Sequence, residues 1–122
     1  MKDDVYYLRH MLEYASKLSV LAGKTTREQY NQNETIQAAC RYWLQVIGEA
    51  AGKVSAAFQA SQPEIPWRAM AGMRNRIVHD YLGIDDETVW KTVTERIPEL
   101  IDALKNLPVN LSADEEGYEG LN

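Results

Sequence analysis

Cysteine is almost missing from this chain. Cys40 stands alone, so no internal disulfide can form and no cysteine cage can hold a metal. Histidine is nearly as scarce, with only His10 and His79, too few for a zinc centre built within one chain. No apolar run approaches the ~20 residues that a membrane-spanning helix requires. The opening Met1-Lys2-Asp3-Asp4 lacks the basic head and apolar stretch of a secretory signal, so a cytoplasmic location is expected. Residues 109–122 contain no lysine or arginine at all, but carry Asp114, Glu115, Glu116 and Glu119.

What remains suits one soluble domain. Apolar residues make up 45% of the 122 and charged residues 25%, enough to bury a real core but not to divide into two. The net charge of −5 argues at first against a phosphate-rich partner. The distribution changes that argument. Without the acidic tail, 13 basic residues face 14 acidic ones. Between Trp67 and Tyr81, Arg68, Arg74 and Arg76 are opposed only by Asp80, a local positive region on a near-neutral body.

Helical periodicity dominates and strand signals are lacking. Val5, Leu8, Leu12, Ala15 and Ala22 recur at steps of three and four, with Ser19 filling the gap. A second helix runs through Ile36, Cys40, Trp43, Ile47, Ala50, Val54 and Ala57, and a third carries Met70, Met73 and Ile77. The fourth holds Val89, Val93, Ile97, Leu100, Leu104 and Leu107, with Trp90 and Ile101 beside the stripe. Asp3 or Asp4, Asn33 and Asp85 are placed to cap helix starts. A polar connection begins at Gly23 and holds a short helical piece near residues 27–30, while Pro63, Pro66 and Gly83 mark the other breaks. Pro98 lies inside the fourth pattern and is expected to kink it. The prediction is an all-α, up-and-down four-helix bundle over residues 1–108, followed by a mobile acidic tail over 109–122.

Several motifs fail on inspection. Gly23-Lys24-Thr25 resembles the end of a phosphate-binding loop, but Leu18 stands where the first glycine belongs and no strand precedes it. His79-Asp80 resembles a metal-binding doublet without further ligands, so no metal site is assigned, and His10 reads as a solvated helix residue. Gly48 offers a place for close helix approach, and Glu49 on its own is an ordinary surface carboxylate.

Arg74-Asn75-Arg76-Ile77-Val78-His79-Asp80-Tyr81 is denser in chemistry. Ile77 and Val78 mark it as at least half buried. Asn75 and His79, four apart, project from nearly the same face. Arg74 and His79 are five apart, about 140° around an ideal helix, and converge only if Arg74 uses its long side chain or a partner surface closes over them. A surface arginine with a histidine near the helix end explains the same spacing equally well.

The stretch from Ile65 to Asp85, with Pro66-Trp67-Arg68, Met73-Arg74-Asn75-Arg76 and His79-Asp80-Tyr81, resembles the signature of the HepT-like branch of the HEPN superfamily. Ile47-Gly48-Glu49-Ala50 upstream and Val89-Trp90 downstream resemble its second and fourth helices, so the likeness covers roughly residues 3–107. It implies a four-helix HEPN toxin from a two-gene toxin–antitoxin pair that cleaves RNA without a metal or other cofactor. It further implies Arg74 and His79 as catalytic residues, with Asn75 counted among them. The implied antitoxin is a minimal nucleotidyltransferase that attaches AMP to the motif tyrosine, here Tyr81.

Metal-free RNA cleavage needs a base for the 2′-hydroxyl, an acid for the leaving oxygen and positive charge on the phosphorane. Histidine suits the proton transfers and arginine the non-bridging oxygens. One chain offers one such histidine; a two-fold homodimer with paired third helices offers two, and brings Arg74 to the other chain's His79. Arg68 and Arg76 are candidate RNA contacts, and Glu49 is a candidate support for His79 or Arg74. The rival expectation is a non-catalytic module that binds nucleotide or the transferase.

Overall fold

The computed structural model describes residues 3–112. Its helices are α1 (Asp4–Gly23), α2 (Arg27–Gln32), α3 (Glu34–Lys53), α4 (Ala56–Ser61), α5 (Trp67–His79), α6 (Asp86–Lys91) and α7 (Ile97–Lys105). A 3-10 turn at Tyr81–Gly83 follows α5, and a π-helical turn at Thr92–Arg96 joins α6 to α7. No strand occurs among the described residues. Four rods result: α1, α3, α5 and the continuous α6–α7 segment. The α3 rod packs between α1 and α5, and α1 also packs on α7. This is an all-α helical bundle.

Local chemistry sets the boundaries. The Asp3 carboxylate accepts from the Tyr6 amide, Asn33 from Ile36 and Asp85 from Glu87, so each expected cap is in place. Thr26 and Gln29 close a reciprocal capping box that starts α2, six residues long rather than four. The second expected helix does not reach Ala57. It stops at Lys53, Val54 turns extended, and Ser55 starts α4. The Asp4 carboxylate fixes that break, accepting from the Ser55 amide at 2.8 Å and its hydroxyl at 2.7 Å.

Pro98 is absorbed by a widened turn. Proline has no N–H to return to the preceding turn, and the π turn ends just before it. There the Thr92 and Thr94 hydroxyls donate back to the carbonyls of Thr88 and Trp90.

The core draws Leu8, Met11, Ala15 and Leu18 from α1 and Cys40, Leu44, Ile47, Ala50 and Ala51 from α3. The last rod adds Val89, Trp90, Val93, Ile97, Leu100 and Leu104. Tyr30 on α2 is fully buried, its ring 4.6 Å from that of Trp90 and its hydroxyl donating to the Asp86 carbonyl. Leu111 is buried too, so packing continues three residues past 108. The rest of the expected acidic tail, residues 113–122, lies outside the described residues.

Candidate active site

The α5 helix buries only Ile77 fully. Met70 and Met73 are half-buried on the same stripe, while Val78 is exposed, contrary to the expectation that it turns inward. The helix is therefore held along one edge, against α3. Gly48 sets that approach. A Cβ on Gly48 would stand 2.5 Å from the Arg74 Cβ and 2.8 Å from the Met70 carbonyl oxygen. Only glycine allows α5 to lie this close.

Close approach brings polar side chains of the two helices together. The Arg74 Nε lies 3.6 Å from the Glu49 Oε2, and its Nη1 donates to the Asn75 Oδ1 at 3.1 Å. Gln45, one turn before Glu49, donates to the same carboxylate oxygen at 3.0 Å. Gln45, Glu49, Arg74 and Asn75 thus form one chain of contacts. Beside it, Gly48, Glu49, Gly52, Lys53, Ala71, Arg74 and Asn75 line a shallow depression of about 430 Å³.

The other candidates lie elsewhere. Arg68, Gly72, Asn75 and His79 fall within about 60° of arc on α5, and all four are exposed. Gly72 faces open space. Arg74 points away from this stripe toward α3. Arg68, Arg76 and His79 make no side-chain hydrogen bond or ion pair among the described residues. Three expected site residues, Arg74, Asn75 and Glu49, therefore meet within one chain. His79 does not join them, and Glu49 engages Arg74 rather than His79.

Tyr81 sits in the turn that follows α5. The amide of Gly83 donates to the Asp80 carbonyl at 3.0 Å, and a Cβ on Gly83 would meet the Asp80 carboxylate at 2.5 Å. The guanidinium carbon of Arg41, on α3, lies 4.9 Å from the centre of the Tyr81 ring. Arg41 also pairs with Asp86 at the start of α6. Burial pulls the Arg41 pKa down, but hydrogen bonding with the Tyr81 phenol and the Asp86 charge outweigh it, and the net shift is upward.

Sequence reasoning missed Arg41. The available signal was the polar stripe Arg41, Gln45, Glu49 at helical spacing beside Gly48. His10 also differs from expectation: it is partly buried, 4.6 Å from the Tyr6 ring and 6.3 Å from that of Tyr14. Among the described residues, no group of three or more His, Cys, Asp or Glu side chains is placed to hold a metal ion. None of the described helices is long and apolar enough to cross a membrane.

An all-α bundle with a weakly buried third rod is the architecture that the resemblance to the HEPN superfamily implies. The family model described as "Ribonuclease HepT-like" matches residues 11–107. The chain belongs to this HepT-like family. It is 30% identical over 115 residues to "Putative RNase MJ1216" of Methanocaldococcus jannaschii, covering 94% of this chain and 95% of that one. It is 36% identical over 94 residues to "Probable ribonuclease HepT" of Thermococcus cleftensis, covering 77% and 86%. "Putative RNase TTE0752" of Caldanaerobacter subterraneus subsp. tengcongensis is 29% identical over 107 residues, covering 88% and 96%. No solved structure matches the chain.

Proposed function

We propose that this protein is a metal-independent endoribonuclease, the toxin of a type VII-like HEPN toxin–antitoxin pair, acting in the cytoplasm as a homodimer. The observation that carries this reading is the division of α5 into two faces. Arg74 is tied to Glu49 on the α3 side, whereas His79 stands on an exposed stripe with Asn75 and Arg68. A single chain leaves the arginine and histidine apart. A second copy laid against the open stripe around Gly72 supplies the missing neighbour for each.

In the shared site, His79 moves the protons of the 2′-hydroxyl and the leaving 5′-oxygen. Arg74 stabilises the phosphorane with its planar guanidinium fork. Asn75 orients the substrate, and Arg68 and Arg76 hold flanking phosphates as free surface cations. Glu49 fixes the direction of the Arg74 fork. The antitoxin is a minimal nucleotidyltransferase that attaches AMP to Tyr81. A phosphodiester charge and a nucleoside at the cleft mouth then oppose RNA entry.

Incubating the pure protein with total RNA in EDTA and mapping the new ends tests the reading. The expected products carry 2′,3′-cyclic phosphates, and His79→Ala abolishes them while helicity and melting temperature stay near the parent. Cleavage that disappears with chelator and returns with Mg²⁺ overturns the metal-free mechanism.

A further inference from the structure

Arg41 has more hydrogen-bonding capacity than its neighbours use. Its side chain is only 15% exposed, yet it keeps a full charge in that setting. One Nη pairs with Asp86, and the face of the guanidinium covers the Tyr81 ring. The buried Nε–H has no acceptor among the described residues. A buried donor left unmatched is costly, and arginine's planar fork is shaped for the oxygens of a phosphate.

Tyr81 is placed to bring such oxygens. Its residue is 41% exposed while one face of its ring lies under Arg41. The turn at Tyr81–Gly83 keeps the phenol beside α3, and the residue next to it, Leu82, is almost wholly in solvent. A group added to the phenol oxygen is thereby carried by an accessible side chain next to a fixed cation.

We propose that Arg41 is the receptor for an anionic group carried on the Tyr81 oxygen, holding the bare phenol in position and pairing with the phosphodiester after modification. The inference rests on the reading of Tyr81 as the modified residue. In that reaction the phenol oxygen attacks the α-phosphorus of a nucleoside triphosphate. The new O–P bond forms as the bond to pyrophosphate breaks, pyrophosphate leaves with the electron pair, and the phenolic proton passes to solvent. The product places one negative charge beside Arg41. Asp86 shares the guanidinium afterwards and is not stranded, because it lies in the first turn of α6, where the helix dipole favours a carboxylate.

The test needs no transferase. Tyr81 is replaced by O-sulfotyrosine, which puts a single negative charge on the same oxygen, and thermal unfolding is followed in the full chain. With Arg41 present, the sulfate is expected to raise the melting midpoint by about 4 °C. In Arg41→Lys part of that gain survives. In Arg41→Gln it vanishes or turns into a loss, since Asp86 is then left beside the new charge with no cation between them. If Arg41→Gln does not fold, Arg41→Gln combined with Asp86→Asn removes the stranded carboxylate and carries the comparison. A sulfate effect that is the same with and without Arg41 overturns the proposal. Failure of a transferase to modify Tyr81 would strike the functional reading, and this measurement separates the two.

Discussion

Gly48 and Arg74 meet at a tight crossing of α3 and α5: a Cβ on the glycine would fall 2.5 Å from the Cβ of the arginine. The obstacle is a side-chain root and the Met70 carbonyl rather than a flexible tip, so neither can give way without moving α5. Gly48→Ala is therefore expected to destabilise the chain by about 1–3 kcal/mol in denaturant unfolding. It should also slow RNA cleavage, because Arg74 rides on the displaced helix. Gly52→Ala, one turn on and facing open space, is the control and should leave stability unchanged or raise it by up to about 1 kcal/mol, since alanine is the better helix former.

The link between Glu49 and Arg74 predicts a split between stability and activity. Both side chains are partly exposed, and a pair in that position contributes at most about 1 kcal/mol to folding. In the proposed site its use is directional: without the carboxylate, the guanidinium is held only through Asn75. Glu49→Gln is expected to leave the melting temperature almost unchanged and to lower the single-turnover cleavage rate roughly 10- to 100-fold. Equal rates for the parent and Glu49→Gln would remove Glu49 from the site.

Much of this was legible in the sequence, and the gaps have physical causes. The helix caps at Asp3, Asn33 and Asp85 appeared as expected because capping is local chemistry between residues two or three apart. The α1 stripe was legible at Leu8 and Ala15, but Met11 and Leu18 are buried where Leu12 and Ser19 were expected. Its centre is Leu8, Met11, Ala15 and Leu18, since partners on α3 and α7 decide which of two adjacent apolar rows is covered. The break at Val54–Ser55 was invisible because it depends on Asp4, 51 residues away. Arg41 was missed for a similar reason. Its two partners, Tyr81 and Asp86, lie beyond the reach of any local pattern. Glu49 was found through the resemblance around Gly48, yet only the packed helices show that its neighbour is Arg74.

Alkaline pH should weaken the fold through Cys40 and Tyr30. Burial pushes the Cys40 thiol up from its ordinary 9.0 to about 11, against a smaller opposing pull from Arg41, and burial also raises the Tyr30 phenol well above 10.0. Both groups are neutral when protonated and resist ionising inside the folded chain. Below pH 9 neither state gains. Above it the unfolded chain releases the thiol proton while the folded chain retains it, so stability falls by about 1.4 kcal/mol per pH unit until roughly pH 11. Tyr30 adds to the slope above pH 10. Denaturant unfolding between pH 8 and 10.5 should show this decline. In Cys40→Ala the decline between pH 9 and 10 should flatten, whatever the substitution does to absolute stability. The same burial predicts that thiol reagents modify Cys40 only after unfolding.

The separation of Arg74 from His79 within one chain predicts complementation between two dead variants. Arg74→Ala and His79→Ala each lack one half of every site when pure, so each should be inactive alone. Mixed after mild dissociation, half of the dimers become heterodimers. Each heterodimer holds one site with an intact Arg74 from one protomer and an intact His79 from the other. Random pairing therefore restores about a quarter of the parental site concentration, and cleavage should recover to about that level. A site assembled wholly within one chain would give no recovery, because neither protomer of the heterodimer carries both residues. The mixing experiment reads the geometry of α5 directly. Arg74 faces α3 and Glu49 while His79 stands on the open stripe, and the proposed shared site has a second copy close the distance between them. A lack of recovery in a mixture shown by native mass spectrometry to contain heterodimers would remove the shared site.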